Sequence, residues 1–411
     1  MNKEELNKFQ KAVVESNSTN IVVTACAGSG KTSSLIFAVV EYRKKNPGHV
    51  IDIITYTRAA TAVLKERLNA EGIYDVNIST IHVWSRERLK DLAELYHFKL
   101  HIIEKPIIMQ ILSEIIAKHR TKMNVEIVFS YVTGNKKMDV SDSYLKTLDA
   151  LNTKYIRYKR ENGLYDFTDY PLYLLTKLKE YNEKIYSTDA LFVDELQDVD
   201  EEQSALFELV ESHKKFYIGD SWQAIFGFRG ADSKVFENLN DFDHQKLKIN
   251  YRSYQEITDY ATTVYKELRP LLGTPNLQIS RILWSYPSGI ECARGYGGNV
   301  YVLDMFGKTI KINGEFVDTN KTILNFLKLK PMILCRTNKQ VKAFIDCGYN
   351  NATTVHQAKG LEYKNVICID ALLRDDEDLN IAYVAITRAE DNLLVANFQQ
   401  IYRLVEWDSR I

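Results

Sequence analysis

The stretch "ACAGSGKTSS", residues 25–34, decides the fold class. Before it runs "NIVVTAC", an apolar β-branched segment that reads as a buried strand. After it, "TSSLIFAVVEYRKK" carries apolar residues at helical spacing and ends in basic residues, as a helix does. Strand, glycine-rich turn and helix together form the setting of a phosphate-binding loop. In such a loop Ala27, Gly28, Ser29 and Gly30 turn backbone N–H groups toward an anion. Lys31 reaches the β- and γ-phosphates, the Thr32 hydroxyl ligates Mg²⁺, and Ser33 completes the first turn. Ala25 stands where the general pattern has its first glycine, so the match is one residue short.

The whole chain of 411 residues is long enough for two or three domains. It is 45% hydrophobic and 26% charged, the composition of a soluble globular protein. Its net charge of −1 gives no overall basic field, so any nucleic-acid site must be a local groove. The five cysteines are scattered and show no metal-ligand spacing, which favours a reduced compartment. The N-terminus "MNKEELNKFQ" does not read as a signal peptide, and no apolar run approaches membrane-spanning length. The expected setting is intracellular, with no membrane partner. The stretches "YVTGNKKMDVSDSYLKT" and "SYPSGIECARGYGGN" read as loops.

A second nucleotide element begins at residue 190, in "ALFVDELQDVDEEQ". The short apolar run is a buried strand that ends in two acids. In a magnesium-dependent nucleoside triphosphatase, Asp194 holds the ion and Glu195 polarises the attacking water as a general base.

Further motifs follow in order. "LNKFQKAV" precedes the loop, "TYTRAATAVLKERL" follows from Thr55, and "STIHVW" from Ser79. After the acid pair come "GDSWQAIFGFRGA" from Gly219 and "NYRS" from Asn250. Then come "CRTNKQ" from Cys335, "TVHQAKGLEY" from Thr354 and "YVAITRAEDNL" from Tyr383. Together, from about residue 6 to 396, they resemble the UvrD/Rep-like group of superfamily 1 DNA helicases, including the F-box DNA helicases.

The resemblance implies roles. Gln223 senses the γ-phosphate, and Arg252 and Arg388 reach it from the distal half of the chain. A planar delocalised cation suits the charge spread over a transferring phosphoryl group. Tyr251 stacks on adenine, Gln10 reads the adenine edge, and Glu362 contacts the ribose. Tyr56, Thr57, His82 and His356 contact DNA without reading sequence. Phe226 and Phe228 have the spacing to stack on unpaired bases, a spacing that equally suits core residues. Arg229 is expected to support a domain interface or a phosphate. Ser33 and Ala59 depart from the arginine and lysine of many relatives, and Leu196 from a common aromatic.

The implied architecture is α/β, with two RecA-like parallel-sheet domains. The first occupies residues 1–88 and 185–243, interrupted by a helical insert over 89–184; the second occupies 244–411. Its strands include "NVYVLDMF", "PMILC" and "NVICID". Only 15 residues, 339–353, separate "RTN" from "TVH", too few for the large helical subdomain of bigger relatives. The implied activity is that of an ATP- and Mg²⁺-dependent DNA helicase or single-strand translocase. By resemblance it runs 3′ to 5′ as a monomer, on single-stranded DNA and on junctions with a single-stranded tail. Two other readings are a motor component that needs a nuclease or other partner and an ATP-gated DNA-binding switch. A small-molecule kinase is disfavoured by the distal motifs.

Overall fold

The computed structural model describes residues 6–134, 142–225, 233–236, 238–268, 290–303, 310–312, 315–369 and 376–408. Helix α1 (Lys8–Glu15) opens on a capping box between Asn7 and Gln10. Then follow β1 (Asn20–Ala25), α2 (Lys31–Lys45), β2 (Ile51–Thr55), α3 (Arg58–Ala70), β3 (Asn77–Thr80) and α4 (Ile81–Tyr96). Helices α5 (Lys105–Lys118), α6 (Val125–Val132), α7 (Asp142–Asn162) and α8 (Tyr170–Tyr181) come next. The chain returns through β4 (Ala190–Val193), α9 (Glu201–Glu208), β5 (Lys214–Gly219) and β6 (Asp243–Leu247).

Strands β1 to β6 form one parallel sheet in the order β3-β2-β4-β5-β1-β6. Alternate residues leave a strand on opposite faces. Ile21, Val23, Phe192 and Phe216 therefore meet α1, α2 and α3 through Val13, Leu35 and Leu64. Val22, Leu191 and Tyr217 meet α4, α8 and α9 through Trp84, Leu174 and Leu206. Helices thus cover both faces, which is why the strands read as continuous apolar runs. The expected boundary at 243/244 is corrected: β6 adds in register to β1, so the first sheet runs to Leu247.

The insert is smaller than expected. Helices α4 and α8 pack on the first sheet, and a separate apolar core forms within α5, α6 and α7 around Leu112, Val128 and Leu151. A parallel bridge between Ile102 and Tyr165 closes its neck. At that neck Lys159 is buried between Asp166, at 2.8 Å, and Asp169, at 2.5 Å. Deeper in, buried Asp52 of β2 accepts from Trp84 Nε1 at 2.7 Å, Arg88 Nη2 at 2.6 Å and Thr188 Oγ1 at 2.6 Å. One carboxylate thereby fixes the chain where it leaves for the insert and where it returns. The "YVTGNKKMDVSDSYLKT" loop is likewise shorter than read, since α7 begins at Asp142.

The second sheet contains β9 (Asn299–Leu303), β10 (Ile310–Ile312), β11 (Glu315–Val317), β12 (Met332–Cys335), β13 (Ala352–Thr354), β14 (Tyr363–Ile369) and β15 (Ala389–Ala396). A short parallel pair, β7 (Ile249–Asn250) and β8 (Glu291–Cys292), precedes it, with α10 (Gln255–Leu268) between the two. The order is β11-β10-β9-β15-β14-β12-β13. Five strands are parallel, but β10 runs antiparallel to both β9 and β11. The second sheet is parallel as expected, and it carries an antiparallel extension at β10 that the sequence reading did not include. The cause is connection length: parallel neighbours need a crossover of a dozen or more residues, and these strands follow one another too closely. The dipeptide Asn313-Gly314, which favours a two-residue hairpin turn, is the signal that would have revealed it. Between "RTN" and "TVH" lie one helix, Asn338–Asp346, a turn and β13, so no subdomain is inserted there.

Candidate nucleotide site between the two sheets

The glycine-rich loop joins β1 to α2. Gly28 (φ +68°) and Gly30 (φ +77°) sit in the left-handed region open to glycine. Gly30 is the residue that flanks the start of α2, and no side chain caps the first turn, so the helix N-terminus is shaped for an anion. Gly28 is needed for a second reason. A methyl there would lie 2.5 Å from Asn250 Oδ1 and 2.7 Å from Arg252 Cβ. The "NYRS" segment therefore presses directly on the loop, and the Tyr251 amide donates to the Gly28 carbonyl at 2.9 Å. Ala27 is buried in the apolar core and is not among the residues that line the cleft described below.

The acid pair faces this loop from the end of β4. Glu195 adopts a left-handed backbone (φ +53°), a strained state for a non-glycine residue. Its amide donates to Asp194 Oδ1 at 3.0 Å, and its Oε2 accepts from Gln197 Nε2. Burial and the neighbouring Glu195 charge push the Asp194 carboxyl up to about 7. Burial also acts to raise Glu195, but Lys31 and Lys359 outweigh it and hold the carboxyl below its usual range. The pair thus has one carboxylate kept ionised, as a general base requires.

Gln223 is buried beside them. Its Nε2 donates to Asp220 Oδ2 at 2.7 Å, and its Oε1 accepts from Arg388 Nη2 at 3.2 Å. Arg388 donates further to the Val384 and Leu361 carbonyls, each at 3.1 Å. Burial, then the charge of Arg252, lowers its pKa to about 9. Arg252 Nε donates to Glu362 Oε2 at 2.7 Å and its Nη1 to the Thr387 carbonyl at 3.2 Å. Glu362 therefore meets Arg252 here. Tyr251 is 44% exposed, and its hydroxyl accepts from Asn7 Nδ2 at 2.7 Å. Gln10 is buried, its Oε1 taken by the Asn7 amide and its Nε2 beside Gly30.

These groups enclose a cleft of about 820 Å³ lined from both sheets. Gly28, Ser29, Gly30, Lys31, Thr32, Ser33, Asp194, Glu195, Gln223, Tyr251, Arg252, Glu362 and Arg388 all line it. Tyr56, Thr57 and His356, read as DNA ligands, line the same cleft. The Thr57 hydroxyl is engaged, capping α3 through the Ala60 amide at 3.1 Å. His82, on the first turn of α4, does not line it. Phe226, Phe228 and Arg229 lie outside the described residues. The uncapped helix start, a lysine and two carboxylates fit a nucleoside triphosphate with Mg²⁺: Thr32 and Asp194 would hold the ion.

Four contributors were not legible in the sequence. Lys359 Nζ contacts Asp198 Oδ2 at 2.6 Å and the Gln223 carbonyl at 3.0 Å, joining the two sheets through a buried pair. Asp220 holds both Gln223 and, through its amide, Gln197 Oε1 at 2.8 Å. Arg67 of α3 lines the cleft and donates to Ser33 Oγ at 2.9 Å, at the position where relatives carry an arginine. A lone lysine, acid or arginine carries no spacing signal, so none stood out.

Among the described residues no helix is long and apolar enough to cross a membrane, and no cluster of three His, Cys, Asp or Glu could hold a metal. The family model of the UvrD/REP helicase N-terminal domain matches residues 6–244, and that of the UvrD-like helicase C-terminal domain matches residues 351–396. The chain is 26% identical over 456 residues to a probable DNA helicase of Mycoplasma pneumoniae, covering 96% of this chain and 83% of that one. It is 29% identical over 371 residues to the ATP-dependent DNA helicase Rep of Buchnera aphidicola subsp. Baizongia pistaciae, covering 82% of this chain and 52% of that one. A shorter match, 29% over 163 residues, is to an ATP-dependent helicase/nuclease component of Oenococcus oeni, covering 35% of this chain and 14% of that one. The N-terminal model alone spans more than half of the sequence, and the chain belongs to the UvrD/REP helicase family.

Proposed function

We propose that this chain is an ATP-dependent DNA helicase or single-strand translocase that moves 3′ to 5′ as a monomer. The observation that carries the reading is Arg388, from the distal half, bonded to Gln223 and facing Glu195 from the first sheet, with Arg252 lining the same cleft. A cleft whose two walls supply different parts of one phosphoryl-transfer site works only when closed. Glu195 accepts the proton of the attacking water, and Lys31, Arg252 and Arg388 neutralise charge on the phosphate oxygens. Thr32 and Asp194 would hold Mg²⁺, which would supply further neutralisation of phosphate charge. Tyr251 and Gln10 take the adenine, and Glu362 the ribose once Arg252 turns to the phosphate. Tyr56, Thr57, His82 and His356 grip the strand, so cleft closure shifts one sheet's grip relative to the other's.

Strand displacement on duplexes with a 3′ or a 5′ single-stranded tail tests activity and polarity together. Displacement from the 3′ tail alone is expected; displacement from only a 5′ tail would reverse the polarity. A second reading, a motor component that needs a partner, is supported by the match to a helicase/nuclease component. It predicts DNA-stimulated ATP hydrolysis with no displacement from either tail.

The α5–α7 insert has its own core behind a narrow neck, which suits it to act as the wedge that parts the duplex. Shortening the connection over residues 133–142 should reduce unwinding while single-strand-stimulated ATP turnover persists. Unwinding that survives unchanged would remove the insert from that role.

A further inference from the structure

Arg294 lies in the segment between β8 and β9, outside the cleft lining. Its Nη1 donates to the Arg252 carbonyl at 2.8 Å and to the Glu390 carbonyl at 3.2 Å. Its Nη2 donates to Asp391 Oδ1 at 2.6 Å, and its guanidinium carbon sits 3.9 Å from the centre of the Tyr254 ring. One planar group thus bonds the backbone of one cleft arginine and the backbone two residues beyond the other.

The two arginine-bearing segments are also joined directly. Ser253 Oγ donates to the Ala389 carbonyl at 2.6 Å, and the Tyr254 amide to the Glu390 carbonyl at 3.1 Å. Arg294 reaches this junction from a third segment, whose approach depends on glycine. A methyl on Gly298 would lie 2.8 Å from Tyr254 Cβ and 2.9 Å from the Asp391 carbonyl. Glu256 holds the same segment by accepting from the Gly297 amide at 3.1 Å and the Gly298 amide at 3.2 Å.

The junction has a physical task. Arg252 and Arg388 are like charges in one cleft, and the charge of Arg252 helps lower the Arg388 pKa. Glu362 pairs with Arg252 and the charges of Glu195 and Asp220 act on Arg388, yet like-charge repulsion still opposes bringing both guanidiniums to one phosphate. We propose that Arg294 is a positioning residue for phosphoryl transfer: it locks the Arg252 and Arg388 backbones in one register, so that both guanidiniums meet the transferring phosphate together. This rests on the reading of Arg252 and Arg388 as phosphate ligands. Arg294 touches no nucleotide; it acts through the other two.

The test is Arg294→Ala, assayed for kcat and KM for ATP, for thermal unfolding, and for rescue by millimolar guanidinium. A loosened catalytic group costs turnover, so kcat should fall roughly 10- to 100-fold with KM little changed. Guanidinium should restore part of the turnover in this variant and not stimulate the parent protein. The milder Arg294→Lys change keeps an ion pair with Asp391 and loses the planar fork. It should lower kcat at unchanged KM, and it serves as the readout should the alanine variant fold poorly. A parental kcat in either variant overturns the proposal, as does a loss that tracks thermal destabilisation with no guanidinium rescue. Arg388→Ala separates the two levels. If it leaves turnover intact, the reading of the cleft fails; if it abolishes turnover and Arg294→Ala does not, only the role of Arg294 falls.

Discussion

Replacing Arg388 by alanine is expected to cut ATP turnover by roughly 10³- to 10⁵-fold, the range over which an arginine finger acts. The side chain is buried, and its fork joins Gln223 Oε1 to the Leu361 and Val384 carbonyls. Its charge faces Glu195 and Asp220 across the cleft. Charge on the phosphoryl oxygens grows during transfer, so the loss should fall on kcat far more than on ATP affinity. Arg388→Lys should recover little, because an ammonium cannot keep three directed bonds and also reach a phosphate. Arg252→Ala should behave in the same direction with a smaller structural penalty, since Arg252 pairs with the half-exposed Glu362. Equilibrium nucleotide binding measured beside kcat decides the matter. A large affinity loss at unchanged kcat would make both residues ground-state ligands.

Glu195→Gln should lower turnover by roughly 10²- to 10⁴-fold, the span of general-base catalysis, while ATP still binds. Shape is preserved: the new side chain keeps an oxygen to accept from Gln197 Nε2, where Glu195 accepts now. What disappears is a carboxylate held ionised by Lys31 and Lys359. Lys31→Ala offers the contrast, because it removes a phosphate ligand and should weaken ATP binding as well. Titration of each variant with a fluorescent ATP analogue, together with turnover in the presence of single-stranded DNA, separates the two effects. Hydrolysis by Glu195→Gln at the parental rate would end the general-base assignment.

Much of this cleft was legible from the chain alone, for a definite reason. The phosphate loop depends on local backbone states, and Gly28 and Gly30 reveal them because few other residues adopt positive φ at low cost. The acid pair follows a four-residue apolar strand, and strand ends show in burial periodicity. The distal motifs were recognisable in order, so the arginines could be named before their surroundings were known. The antiparallel β10–β11 extension and the placement of β6 in the first sheet were missed, because strand partners are chosen by packing and connection length.

Folding alone created the contacts that join the two sheets. Lys359 meets Asp198 across 161 positions of sequence, and Arg388 meets Gln223 across 165. Within the second half alone, Arg294 reaches Asp391 across 97. Asp52, buried in β2, organises Trp84, Arg88 and Thr188 from both flanks of the insert. No spacing rule encodes such partners. Each is a polar group that burial would penalise if left unpaired, and the fold satisfies it with whatever the packing brings near. Local chemistry thus marked the loop proposed to hold phosphate, whereas long-range packing determined which charges face it.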